Sequence, residues 1–231
     1  MFLLATIPCS QVELHWDHAV PGATEIRTRQ LRGALGTAFN DDAFFHQHDP
    51  VTGKPLYRYP RIQYRWRNGY GVVVGWGEAA SRLLALPWFD LLLRLGDERV
   101  MVSDAALTLT QSQFAVGDQL THYQLKTPAL LFNQDNYRRY QPLTAQEQTV
   151  EQERLLVAGL LTAMRGLDVT FNQRLYAAFL NTKKQTCHYK GESLFGLSGT
   201  FVTNAVLPSG FAFGHGVSHG FGELVTMNGS V

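Results

Sequence analysis

The dipeptide Asn68-Gly69 separates two strand-like runs, YRYPRIQYRW and GVVVGW, and constrains the fold more than any other feature of the sequence. Asn-Gly is favoured where both central residues of a two-residue turn need positive φ, so the runs are predicted to pair as an antiparallel hairpin. Period-two alternation then puts Arg61, Arg65 and Arg67 on one face of the first strand, with the alternate set of residues turned the other way. Upstream, Phe2 to Leu14 has the Leu, Ile and Val density of a strand. After the Pro21-Gly22 turn, Thr24 can cap a helix in which Leu31, Ala34, Leu35 and Ala38 recur at helical spacing. Downstream, Glu78 to Leu95 has helical composition that Pro87 must interrupt, giving one helix ending near Leu86 or two short ones. Val100 to Val102 resumes extended structure. The order strand, helix, strand, strand, helix, strand predicts an α+β, ferredoxin-like domain over residues 1–103.

Residues 104–231 repeat the mixture of strands and helix, and a second, smaller α+β domain is expected there. LTLTQSQF and HYQLKTPALLF read as a strand pair, followed by the polar, aromatic link NQDNYRRYQPLTAQ. Thr149 is a candidate cap for a helix whose apolar face holds Leu155, Leu156, Leu160 and Met164 and which ends at Gly166. TCHYKG, ESLFGLSGTFVTNAVL and GELVTM then look like strands punctuated by glycine. No low-complexity linker separates the halves.

The formal net charge is only +1 with 17% charged residues, so no bulk basic excess announces a polyanion and any nucleic-acid surface must be local. The opening MFLLATIP lacks a basic leader region and reads as a buried strand, and no segment has the length of a membrane span. A soluble, cytoplasmic protein is expected. Cys9 and Cys187 form no CxxC spacing and read as small buried hydrophobes.

Near the C-terminus, GFAFGHGVSHGFGEL places glycines at 210, 214, 216, 220 and 222. A dinucleotide fingerprint needs G-x-G-x-x-G after a first strand and a carboxylate about 20 residues on, and a phosphate loop needs Lys beside Ser or Thr; neither is present. Such a run can bring backbone N–H groups close to a phosphodiester, or it can be a turn that only packs. A second polar cluster, HQHD, holds His46, His48 and Asp49. Histidine suits proton transfer because its pKa lies near working pH. The same cluster has metal-ligand character, but no third histidine lies nearby in sequence, and neither metal nor cofactor is expected.

Taken in order, LRGALG, HQHD, YRYPRIQYRW, YQLKTPALLFNQDNYRRY, HYKGESLFGLSGTF and the glycine-rich end resemble the CRISPR repeat-processing endoribonucleases. The similarity is to the b subtype of the sixth Cas family, within the repeat-associated (RAMP) superfamily, and runs from about residue 25 to about residue 225. The resemblance implies two tandem ferredoxin-like, RRM-like domains, with a C-terminal glycine-rich loop closing over a repeat RNA hairpin. It further implies metal-independent cleavage of pre-crRNA by 2′-hydroxyl attack, leaving a 2′,3′-cyclic phosphate and a 5′-hydroxyl on the way to mature crRNA. A loop histidine and a downstream tyrosine carry catalysis in that family, and by motif these fall on His48 or His46 with Tyr57 or Tyr59. The alternative is a non-catalytic RNA-binding subunit of an effector complex, and assembly into such a complex or a homodimer stays open.

Candidate RNA contacts are Arg27 and Arg32 on the first helix, with Lys54, Arg61, Arg65 and Arg67 around the second strand. Arg138 and Arg139 lie between tyrosines able to stack on bases. The glycine-rich end adds Gly214, His215, Gly216, His219, Gly220 and Gly222.

Overall fold

A computed structural model describes residues 2–45, 58–189 and 191–227, which fall into two compact units. Ile7–Ser112 and Ser218–Gly220 form the N-terminal unit, whereas the residues up to Thr6, Gln113–Val217 and those from Phe221 form the C-terminal one. The division falls inside a strand, between Ser112 and Gln113; residue 103, the boundary expected from the sequence, is the last residue before that strand.

The N-terminal unit contains most of β1 (Phe2–His15), then α1 (Thr24–Ala38), β2 (Ile62–Arg67), β3 (Tyr70–Trp76) and α2 (Glu78–Leu84). It continues through β4 (Leu92–Leu95) and β5 (Glu98–Met101) into the first half of β6 (Asp104–Leu125). The hairpin forms as expected: Asn68 and Gly69 have φ of 51° and 86°, and β2 and β3 pair antiparallel from Arg67 opposite Tyr70 to Ile62 opposite Gly75. Sheet order is β2-β3-β1-β6. Ser103 N–H reaches His15 C=O and the Thr110 hydroxyl reaches Cys9 C=O, so β6 runs back along β1. Taken in chain order, these four strands stand as second, third, first and fourth, the ferredoxin-like arrangement.

The fourth strand is not the expected one. Val100 belongs to β5, which pairs only with β4 in a separate two-stranded sheet, and the sheet position goes to β6. Nor is Leu92 to Leu95 helical. Pro87 ends α2, Asp90 takes φ of 57°, and Leu93, Leu95 and Val100 alternate into the core at strand spacing. On β3, Gly71 and Gly75 flank buried Val73 and let the helices approach closely. A Cβ at 71 would meet Leu31 of α1 at 2.9 Å, and one at 75 would meet the Ala79 carbonyl of α2 at 2.7 Å.

The C-terminal unit holds the rest of β6, α3 (Gln134–Tyr140), α4 (Ala145–Gly166), β7 (Ala177–Tyr189), β8 (Glu192–Val206) and β9 (Leu224–Thr226). LTLTQSQF and HYQL are one 22-residue strand rather than a pair. The order β9-β6-β8-β7 is fourth, first, third, second, the same arrangement again. Between β8 and β9, where a second helix would stand, lies the glycine-rich segment with a single 3₁₀ turn, Val217–His219. The α4 face of Leu155, Leu156, Leu160 and Met164 is buried, and Gly159 admits Leu131 and Phe213. Phe114, Phe201, Phe211 and Phe213 form edge-to-face pairs 5.3 and 5.8 Å apart. Among the described residues, no helix is long and apolar enough to cross a membrane.

The α4 cap is Thr144, not Thr149. Thr144 and Glu147 satisfy each other's backbone N–H in a capping box, and Thr149 sits inside the helix with its hydroxyl on the Ala145 carbonyl. Thr144→Ala is expected to lower unfolding free energy by about 1 kcal/mol in a denaturant titration, and Thr149→Ala to leave it nearly unchanged.

Candidate nucleic-acid interface and active site

All five glycines of the C-terminal run have positive φ: 88°, 93°, 68°, 87° and 74° at Gly210, Gly214, Gly216, Gly220 and Gly222. The spacing therefore encodes a sequence of backbone reversals. The base of the segment is a small hairpin. Gly210 N–H donates to Leu224 C=O, Leu224 N–H to Phe211 C=O and Phe213 N–H to Gly222 C=O, at 2.8, 2.9 and 3.1 Å. Gly222 N–H reaches the Pro128 carbonyl and His215 N–H the Leu130 carbonyl, both at 2.8 Å. The backbone N–H groups of Gly222 and His215, two of the candidate RNA contacts, thus donate to carbonyls of the protein. At Gly222 the reason for glycine is sharpest, since a Cβ there would sit 1.9 Å from the Phe213 oxygen.

The tip, Ser218–Gly220, belongs to the N-terminal unit. Gly220 lies against Thr28 of α1 and Tyr64 of β2, whose methyl carbon and carbonyl oxygen would each be 3.3 Å from a Cβ. These two elements flank the segment that carries HQHD. His46, His48, Lys54 and Tyr57 themselves lie outside the described residues. Thr28 and Tyr64 were not singled out by sequence; the signal for Thr28 is a polar residue inside the buried stripe of Thr28, Leu31 and Leu35. Burial pushes the Tyr64 phenol well above its ordinary pKa, although the Arg32 guanidinium acts to lower it. His219 is buried at 8% exposure. His215 is exposed, and partial desolvation by neighbouring atoms holds its imidazole below the usual pKa.

Tyr59 is half-buried, and its hydroxyl accepts a hydrogen bond from the Gln63 amide at 3.0 Å. The parity of β2 is as read, with Ile62, Tyr64 and Trp66 in the core and Arg61, Arg65 and Arg67 on the opposite face. That face is not an open basic track. Arg65 is 5% exposed and Gln63 fully buried, beside Val72, Val74 and Trp76, which are buried too. The uninterrupted VVV of β3 is the pattern of a strand covered on both faces. Arg65 also stands near the Cys9 thiol, which burial nevertheless pushes up to about 11, so Cys9 is no thiolate nucleophile at neutral pH.

Arg27 serves the fold. Its guanidinium bonds Glu98 at 2.5 Å, Gln30, and the carbonyls of Pro21 and Leu95, tying α1 to the β4–β5 hairpin. In the C-terminal unit, Arg138 is exposed with a loose 3.8 Å pair to Asp135, and Arg139 bonds Asn136 on the same helix. Among the described residues, no group of three His, Cys, Asp or Glu side chains is placed to hold a metal ion.

Both halves match models of one family: the Cas6b N-terminal domain over residues 5–113 and the Cas6b C-terminal domain over residues 115–227. The chain belongs to the Cas6b family. Among solved structures it is similar to a crystal structure of a Cas6b, with 21% identity, 96% of this chain and 100% of the other covered, and a TM-score of 0.82. A Cas6b CRISPR RNA processing endoribonuclease aligns at 20% identity over 96% and 100% of the two chains, TM-score 0.73. Csf5, a type IV Cas6 crRNA endonuclease, aligns at 13% identity over 97% and 100%, TM-score 0.58. An uncharacterized protein of Methanocaldococcus jannaschii is 28% identical over 133 residues, 58% of this chain and 90% of that one. The two-domain, sheet-dominated α+β fold is thus the Cas6 fold.

Arg27→Ala is expected to lower the unfolding free energy by about 2 kcal/mol in a denaturant titration, because the charged donor serves four acceptors and is largely covered. Arg138→Ala, on an exposed helix face, should change it by less than about 0.5 kcal/mol.

Proposed function

We propose that this protein is a cytoplasmic endoribonuclease that binds a CRISPR repeat hairpin and cuts it without metal, retaining the mature crRNA for an effector complex. The observation that carries the proposal is the seating of Gly220 on both elements that flank the HQHD segment, in a chain whose two halves match Cas6b. Membership of Cas6b supports repeat RNA as the substrate, as do the names of the solved relatives, a CRISPR RNA processing endoribonuclease and a crRNA endonuclease.

Cleavage needs a base for the ribose 2′-hydroxyl, an acid for the departing 5′-oxygen, and donors for the charged phosphorane. His48 acts as the acid–base residue, with His46 as its substitute, and Tyr57 or Tyr59 supplies a hydroxyl donor. The hydroxyl of Tyr59 is held by Gln63, so Gln63 positions it. Arg32, Lys54, Arg61 and Arg67 supply positive charge near the scissile phosphate, with Gly214, Gly216, Gly220 and the histidines of the glycine-rich segment against the RNA backbone. Arg65 supports this region from inside the sheet.

His48→Ala is expected to slow single-turnover cleavage of a repeat RNA by about two to four orders of magnitude, with hairpin affinity unchanged. A 2′-deoxy substitution at the cut site should abolish cleavage, and a chelator should leave it intact. Binding without cleavage of the unmodified RNA would instead make the protein an RNA-holding subunit. Loss of activity in chelator would assign His46, His48 and Asp49 to a metal.

A further inference from the structure

The C-terminal unit carries a cavity of about 450 Å³, built entirely from α3, the residues before it, and the β7–β8 hairpin. Its floor is aromatic. Tyr137 and Phe195 stack with centroids 5.0 Å apart and planes 29° apart, and Phe132 meets both edge-on at 6.0 and 5.2 Å. Its rim carries the amides of Asn133 and Gln134 and the carboxylate of Glu192. Asn133 Oδ1 caps α3 by accepting from Asn136 N–H at 2.7 Å, which orients the side-chain NH₂ as the remaining donor. Arg138, one helical turn after Gln134 on α3, is exposed.

We propose that this cavity binds one unpaired guanine of the RNA substrate, a reading that rests on RNA being the ligand. The volume is that of a small-molecule site and accommodates a purine with its ribose. The aromatic floor offers stacking, which every base can use. Selection comes from the rim. Guanine has two adjacent donors, N1–H and the N2 amine, that match the two oxygens of the Glu192 carboxylate, and its O6 and N7 accept from the amide donors of Asn133 and Gln134. Adenine would turn the N1 lone pair toward the same carboxylate. Arg138 takes the flanking phosphate, which the carboxylate would repel from the cavity itself.

The test uses end-labelled ribotetranucleotides UUGU, UUIU and UUAU with full-length protein, read by fluorescence anisotropy. UUGU is expected to bind about tenfold tighter than UUAU, and UUIU, which lacks the N2 amine, to fall between them. Glu192→Gln should collapse that order while keeping stacking. Tyr137→Leu should weaken UUGU about tenfold and Tyr137→Phe should not. Because Tyr137 also packs against Phe132, a second variant, Ser193→Trp, fills the cavity from an exposed strand position and should abolish the guanine preference in a folded protein. Equal binding of UUGU and UUAU by wild type, or a preference that survives both Glu192→Gln and Ser193→Trp, overturns the assignment. Hairpin cleavage is scored separately: its failure with tetranucleotide selection intact removes the endonuclease reading and leaves the guanine site standing.

Discussion

The seating of Gly222 on the Phe213 carbonyl is the contact on which the shape of the glycine-rich segment depends. With φ of 74° and no room for a Cβ, this position lets the chain turn back so that Phe213 N–H donates to the Gly222 carbonyl. Phe211 and Phe213 are then buried, as are Val217 and Phe221 of the run that follows, while His215 stays exposed. A helix in this place, as the ferredoxin-like order would supply, would bury an amphipathic face. The glycine segment instead satisfies its backbone on Pro128 and Leu130 and presents a tip whose Gly220 lies beside Thr28 and Tyr64. The departure from the repeated fold is therefore also the feature that defines the candidate site.

The arginines divide by what surrounds them rather than by sequence distance from the histidines. Arg27 is consumed by Glu98 and three other acceptors, and Arg65 lies inside a sheet face that β3 makes apolar. Arg138 remains exposed, one turn from the rim of an aromatic cavity. With 20 Lys and Arg nearly balanced by 19 Asp and Glu, the chain has no bulk basic excess, and stacking and hydrogen bonding stand beside phosphate charge in any RNA contact.

Much of this fold is legible in the sequence where a local rule has one solution. Asn68-Gly69 demands a tight hairpin, and α1 keeps its period through Leu31 and Leu35. Other elements follow from contacts the sequence does not display. Leu92 to Leu95 has helix-forming residues, yet tertiary packing of Leu93 and Leu95 makes it a strand, and β6 continues where composition suggested a turn. The α4 start was hidden because Thr144 and Thr149 both look like caps, and only the reciprocal bond to Glu147 distinguishes them. In the site, glycine spacing is readable as backbone reversal. The closed face around Arg65 and the cavity under Tyr137 depend on long-range pairing, β2 with β3 and β7 with β8, and parity alone cannot reveal what covers a strand.

Cleavage of a repeat RNA by attack of the RNA's own 2′-hydroxyl is tested most directly by end-group analysis of the products. After incubation of wild-type protein with a repeat RNA in chelator, mass spectrometry should find a 2′,3′-cyclic phosphate on the upstream fragment and a 5′-hydroxyl on the downstream one. A 5′-phosphate on the downstream fragment would mean that water, not the ribose, attacked the phosphate, and would contradict the account.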